Sequence, residues 1–157
     1  MSADSDSNSQ PTDTPTVPPT DAVESSSWLQ FPSGLSWQWQ LSGSVNTGYP
    51  VDVYDLDLFD TPAATIADLK AAGRKVVCYF SAGSWEEWRD DADQFPVSVL
   101  GNTLDGWEDE KWLDISSPQV LTIMKSRLDL AANKGCDVVE PDNVAGYRNN
   151  KRLDLSA

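Results

Sequence analysis

The sequence predicts an α/β fold built on a parallel sheet, and three observations carry that expectation. Strand-like and helix-like runs follow one another in the order β-β-α-β-α-α-β, with the second to fourth strands separated by helical segments. The run "VVCYFSAG" is almost continuously apolar, as a strand covered on both faces should be. Acids and aromatics collect just where the strand-like runs end, and in parallel α/β folds the C-terminal ends of strands carry the site.

Each element has its own grammar. "LSWQWQLSG" alternates large and polar side chains and stops at Gly43, so it reads as a first strand. "VDVYDLDLF" also has period two. Val51, Val53, Asp55 and Asp57 share one face, and Asp52, Tyr54, Leu56 and Leu58 share the other. "DTPAATIADLKAAGRK" predicts a helix with Thr61 as cap, Pro62 at the first position, Ile66 and Leu69 facing the core, and Gly73 at its end. "SWEEWRDDADQFP" reads as a short helix capped by Ser84 and stopped before Pro96. "VSVLGNTLDGWEDEKWLDI" reads as a loop-rich excursion. "SSPQVLTIMKSRLDLAANKG" is the clearest helix. Ser117 caps it, Pro118 opens it, Gly135 closes it, and Val120, Ile123, Met124, Leu128 and Leu130/Ala131 form its apolar stripe. "CDVVEPDN" is the fourth strand.

Composition bounds the function. Residues 1–27 are rich in Ser, Thr, Pro and Asp and nearly devoid of large apolar side chains, which predicts a disordered linker ahead of a globular domain over residues 28–157. Neither a signal peptide nor an apolar run of membrane-spanning length is visible. The chain of 157 residues carries a net charge of −14. That argues against nucleic acid as a partner, since phosphate must be neutralised by Lys and Arg, and suits a cationic substrate. There is no histidine, so acid–base chemistry falls to carboxylates, Tyr, Lys or Cys. Cys78 and Cys136 lie in apolar runs with no metal-type spacing. Buried thiols are the default, and a disulfide requires that their strands be neighbours.

Three strand ends bear acids. Asp55, Asp57 and Asp60 close the second strand; Tyr79, Ser81 and then Glu86 follow the third; Glu140, Asp142 and Asn143 close the fourth. Glu140 and Asp142, two residues apart in an extended chain, share a face, and Pro141 keeps Glu140 extended. Like charges gathered at one mouth are costly, which favours a functional reading. Glycoside cleavage uses such carboxylates directly, and Trp and Tyr faces stack on sugar rings. Blander readings stand beside these. Asp57 can serve the backbone of the following turn, Glu86 and Glu87 can favour a helix N-terminus, and Arg89 can be their ion-pair partner. Seven tryptophans are many for this length, and "WQW" and "GWEDEKW" look surplus to a core. A metal site on Asp55, Asp57 and Asp142 is a third possibility, without any phosphate-binding loop to accompany it.

In sequence order, "SWQWQLSGSVN", "VDVYDLDLFDT", "AAGRKVVCYFSAGSWEEWRDDADQFP", "LDGWEDEKWLDI", "RLDLAANKGCDVVEPDN" and "AGYRNN" resemble glycoside hydrolase family 114, from about Trp37 onward. The family includes endo-α-1,4-polygalactosaminidases with (β/α)8 barrels. The resemblance implies a TIM-barrel-type fold, an extracellular or cell-surface location, no cofactor or metal, and a cationic galactosamine polymer as substrate. It places catalytic acids at Asp142, Asp57 and Glu140. Substrate contacts fall on Trp39, Tyr79, Glu86, Asn143 and Tyr147. Members often carry an aspartate where this chain has Ala145. An eight-stranded barrel takes about 250 residues, so the 130 residues from Trp28 onward correspond to about its first half. The second catalytic carboxylate is then Asp57, Glu86 or a residue of the other half. The alternative is a non-catalytic carbohydrate-binding protein or inactive fragment. Oligomeric state is not legible.

Overall fold

The structure, a computed structural model, describes residues 31–149. The linker expected over residues 1–27 lies outside them. Four parallel strands form the main sheet in the order β1-β2-β3-β7: β1 Trp37–Gln40, β2 Val53–Asp57, β3 Lys75–Ser81 and β7 Val138–Asp142. Helix α1, Ala63–Ala71, joins β2 to β3, and α2, Pro118–Lys134, leads into β7. A short helix α3, Gly146–Asn149, follows.

Alternation sorts each strand's side chains. Tyr54, Leu56 and Leu58 of the β2 segment, Val76, Cys78 and Phe80 of β3, and Ile66, Leu69 and Ala131 of the helices form the core between sheet and helices. The opposite face carries the acids. Register places Asp55 beside Val77, Asp57 beside Tyr79, Tyr79 beside Glu140 and Ser81 beside Asp142.

The α2 signals act as read. The Ser117 side chain accepts from the Gln119 amide at 3.3 Å, Pro118 opens the helix, and Gly135 ends it at φ 86°. Its buried stripe is Val120, Ile123, Arg127 and Ala131, however, and the Leu128 expected there is exposed. Arg127 takes the inward position because anions await it. Its guanidinium donates twice to Asp91 at 2.8 Å and once to the Ser81 carbonyl at 2.7 Å. In α1 the expected cap is corrected: Pro62 holds the N-cap position, and no side chain caps the helix there.

The stretch from Ser84 to Leu113 departs from expectation. Ser84–Glu86 is not a helix start but strand β4, and a single 3-10 turn at Ala92–Gln94 is all that follows of the predicted helix. The expected loop excursion contains β5, Leu100–Leu104, and β6, Trp107–Leu113, paired antiparallel and joined at Asp105-Gly106. Asp-Gly is a hairpin signal, and Gly106 takes the required positive φ of 83°. Strand β4 pairs with β6, giving a second sheet in the order β4-β6-β5. A second core of Phe95, Val99, Leu100, Leu113, Val120 and Ile123 fixes this sheet against α2.

Cys78 and Cys136 are joined in a disulfide, with Cα atoms 6.0 Å apart and a sequence separation of 58. The condition set by the sequence is met, because Cys136 leads directly into β7, which pairs with β3. Reduction of this bond releases a long loop and is expected to lower unfolding free energy by about 2–4 kcal/mol. Urea melts with and without reductant measure it, and a Cys136→Ser variant should match the reduced protein.

Candidate active site

The C-terminal ends of β1, β2, β3 and β7 open onto a cleft of about 490 Å³. Trp39, Asp57, Tyr79, Asp142 and Asn143 reach it from the main sheet; Glu86, Trp88, Arg89, Leu104, Trp107 and Glu110 reach it from the second sheet and its connections. Three indole rings stand in the open there. Trp39 is 60 % exposed, Trp88 53 % and Trp107 63 %. Large apolar faces left in water around a polar cleft favour a flat partner such as a sugar ring.

Arg89 neutralises two of the cleft acids. It donates to both oxygens of Asp57, at 3.0 and 2.6 Å, and to Glu86 at 2.9 Å. Asp57 also accepts from the amides of Phe59 and Asp60, each at 2.9 Å, so it holds the turn after β2. Asp57 thus serves the following turn, as the blander reading of the sequence has it, and is also held by Arg89. Glu86 lies 3.7 Å from Arg127, and burial raises its proton affinity above the ordinary value while Arg89 opposes that shift. The ring of Phe59 is flanked by both guanidinium groups, at 4.7 and 5.0 Å. Lys134 completes the frame by donating to the carbonyls of Leu58, Phe59 and Thr61 at 2.7–2.9 Å.

Asp142 stands differently. It is exposed, and its carboxylate accepts from the neutral Tyr79 hydroxyl at 3.1 Å; no cation pairs with it among the described residues. Burial first, and then the charge of Asp142, push the Tyr79 phenol well above its usual range, so it stays a hydrogen-bond donor. Asn143 follows at φ 60°, and its side-chain amide donates to Ser81 and Ser84. Glu110, which sequence reasoning passed over, is buried in the cleft wall and accepts from the Ser84 hydroxyl at 2.6 Å. The Asp105-Gly106 hairpin signal marks β6 as a strand, and the long-range pairing of β6 with β4 then brings Glu110 beside Glu86.

Glu140 does not line this cleft. One pleat below Asp142, it lies beside Asp55 at a cavity of about 500 Å³ that Trp37, Val53 and Val77 also line, and each of the two carboxyls keeps one buried oxygen without a hydrogen-bond partner. Burial, with the neighbouring Glu140, lifts the Asp55 carboxyl to about 8. Tyr147 lies on α3 with Arg148 over its ring at 5.2 Å and is likewise not part of the cleft lining. Asp55, Asp57 and Asp142 do not converge as metal ligands, and among the described residues no cluster of three or more His, Cys, Asp or Glu is placed to hold an ion. No helix among them is long and apolar enough to cross a membrane.

Over residues 18–157 the chain matches the family model described as glycoside-hydrolase family GH114. The chain belongs to that family. A crystal structure of Aspergillus fumigatus Ega3 in complex with galactosamine is similar, with a TM-score of 0.76 and 55 % identity over 78 % of this chain and 49 % of Ega3. The glycoside hydrolase domain of PelA from Pseudomonas aeruginosa aligns with a TM-score of 0.61 over 75 % of this chain and 47 % of that domain; at 15 % identity it speaks to fold alone. No curated protein matches. The GH114 chain thus spans about half the length of these solved structures, and its α/β sheet is of the TIM-barrel type expected from the sequence.

The Asp55–Glu140 pair makes a testable statement about stability. Asp55 is held protonated in the folded state to about 8 but ionises near 3.8 when unfolded. Between those values the unfolded chain binds fewer protons, so stability falls as pH rises from about 4 to about 8. Denaturant melts at pH 5 and pH 8 should show that loss. Asp55→Asn should abolish most of the difference, and an unchanged slope in the variant would remove Asp55 as its source.

Proposed function

We propose that this GH114 domain hydrolyses α-1,4-linked galactosamine polymers and that Asp142 is a catalytic carboxylate. One observation carries the assignment. Of the cleft acids, Asp60 and Asp142 are exposed, and Asp142 is the one that sits at the end of a parallel strand with a neutral donor, Tyr79, as its partner, whereas Arg89 holds Asp57 and Glu86. A group in that setting is available to protonate a glycosidic oxygen, attack the anomeric carbon or activate water. The Tyr79 hydroxyl orients it by donating a hydrogen bond to its carboxylate. Asp57 is assigned to ordering Arg89 and the turn after β2, and Glu140 to the acid pair below the cleft.

The substrate class follows from charge and shape. An acidic wall attracts a polymer carrying ammonium groups, and the exposed rings of Trp39, Trp88 and Trp107 suit stacking on successive sugar faces. The likeness to a protein crystallised with galactosamine supports that choice. The Cys78–Cys136 disulfide favours an oxidising, extracellular setting.

The test is release of reducing ends from deacetylated galactosamine polymer by the full-length protein. Asp142→Asn should lower kcat by at least about a hundredfold, the scale associated with removing a proton-transfer group. Trp107→Ala should instead raise KM with kcat little changed. Wild-type activity in Asp142→Asn would defeat the assignment. Polymer bound without any release of ends would support the non-catalytic carbohydrate-binding reading, which the alanine at Ala145 favours.

A further inference from the structure

We propose that Ser84 and Glu110 are positioning residues that lock Asn143, and through it set the carboxylate of Asp142. The inference rests on the reading of Asp142 given above, but its geometry stands apart from that reading. Strand β7 ends at Asp142, and Asn143 immediately turns into left-handed backbone at φ 60°. Asn tolerates that region better than most residues, yet it still requires support from its surroundings. Two sets of contacts supply it. The Asp142 carbonyl accepts from the amides of Ala82 and Gly83, at 2.9 and 3.2 Å. The Asn143 side-chain amide donates to the hydroxyls of Ser81 and Ser84, at 2.9 and 3.1 Å. Gly83 lies so close that a Cβ there would overlap the Asn143 carbonyl oxygen.

Proton counting gives the network one direction. Ser84 has a single hydroxyl proton. Glu110 takes it at 2.6 Å, leaving the Ser84 lone pairs to accept from Asn143 and from Ser81, whose hydroxyl is 2.5 Å away. Ser81 in turn accepts from Asn143 and from the Ser84 amide at 3.1 Å. Both serines are fully buried and Glu110 nearly so, which makes an unfilled position expensive. The carboxylate of Glu110 is therefore the terminal acceptor that orients the chain of donors ending at Asn143. Because Glu110 belongs to β6 and Ser84 to β4, the second sheet acts as a brace on the strand end that presents Asp142.

Two readouts test this in the full-length protein. Misplacing a reacting group by about 1 Å can cost about a hundredfold in rate. Ser84→Ala should therefore lower kcat on galactosamine oligomers by about ten- to a hundredfold while KM stays within about twofold. Glu110→Gln, which keeps an acceptor for Ser84, should retain most activity, and Glu110→Ala should behave like Ser84→Ala. Separately, the side-chain amide protons of Asn143, followed by NMR, should exchange slowly in the wild type and in Asp142→Asn but rapidly in Ser84→Ala and Glu110→Ala. If Ser84→Ala does not fold, Glu110→Ala gives the same two readouts. Unchanged kcat and unchanged Asn143 protection in a folded variant would overturn the proposal. Full activity in Asp142→Asn would instead overturn the reading of Asp142, and Asn143 exchange would still decide whether the brace exists.

Discussion

Two buried guanidinium groups hold the open end of this sheet together. Parallel strands in register bring acids to a common rim, and carboxylates crowded there repel and resist desolvation. Arg89 answers this from the connection after β4, binding Asp57 and Glu86; Arg127 answers it from α2, binding Asp91 and the Ser81 carbonyl. The buried acids Asp57 and Glu86 can stand at the rim because Arg89 pairs with both. The Phe59 ring packs against both cations, at 4.7 and 5.0 Å from its centroid.

That neutralisation is selective, and the selectivity shapes the cleft. The acids that Arg89 grips become scaffold. Asp142, reached from the neutral side by Tyr79, keeps its exposure and its chemistry. One layer down, Asp55 and Glu140 lie side by side and meet no cation among the described residues, with the Asp55 proton retained well above the ordinary carboxyl range. Three solutions to the same electrostatic problem thus stand within one sheet: ion pairing, exposure and protonation.

The second sheet is what turns a strand end into a cleft. Its hairpin raises a wall carrying Trp107 and Glu110, and β4 brings Glu86 and the following Arg89 over the rim. The same sheet reaches into the backbone at Asn143 through Ser84. Wall and support therefore come from one element, so a change in the hairpin would be felt at the acid as well as at the sugar-facing surface.

Much of this was legible from local pattern. Period-two alternation placed Asp55 and Asp57 opposite Tyr54, Leu56 and Leu58; Ser117, Pro118 and Gly135 marked α2 to the residue; and linked motifs from Trp37 onward pointed to GH114. Such features are encoded in neighbouring residues, so a linear reading recovers them. The β4–β6–β5 sheet was not recovered, because Ser84–Glu86 becomes a strand only when β6 lies beside it, and its own residues suit a helix start equally well. Arg127 was likewise misplaced in favour of Leu128, since its burial depends on Asp91 and Ser81 arriving from distant segments. Charge state belonged wholly to the tertiary structure. The sequence by itself determined which acids stand at the strand ends. Only packing decided that Asp57 would be held by Arg89, that Asp55 would keep its proton beside Glu140, and that Asp142 would remain open, because those outcomes rest on distances between residues far apart in the chain.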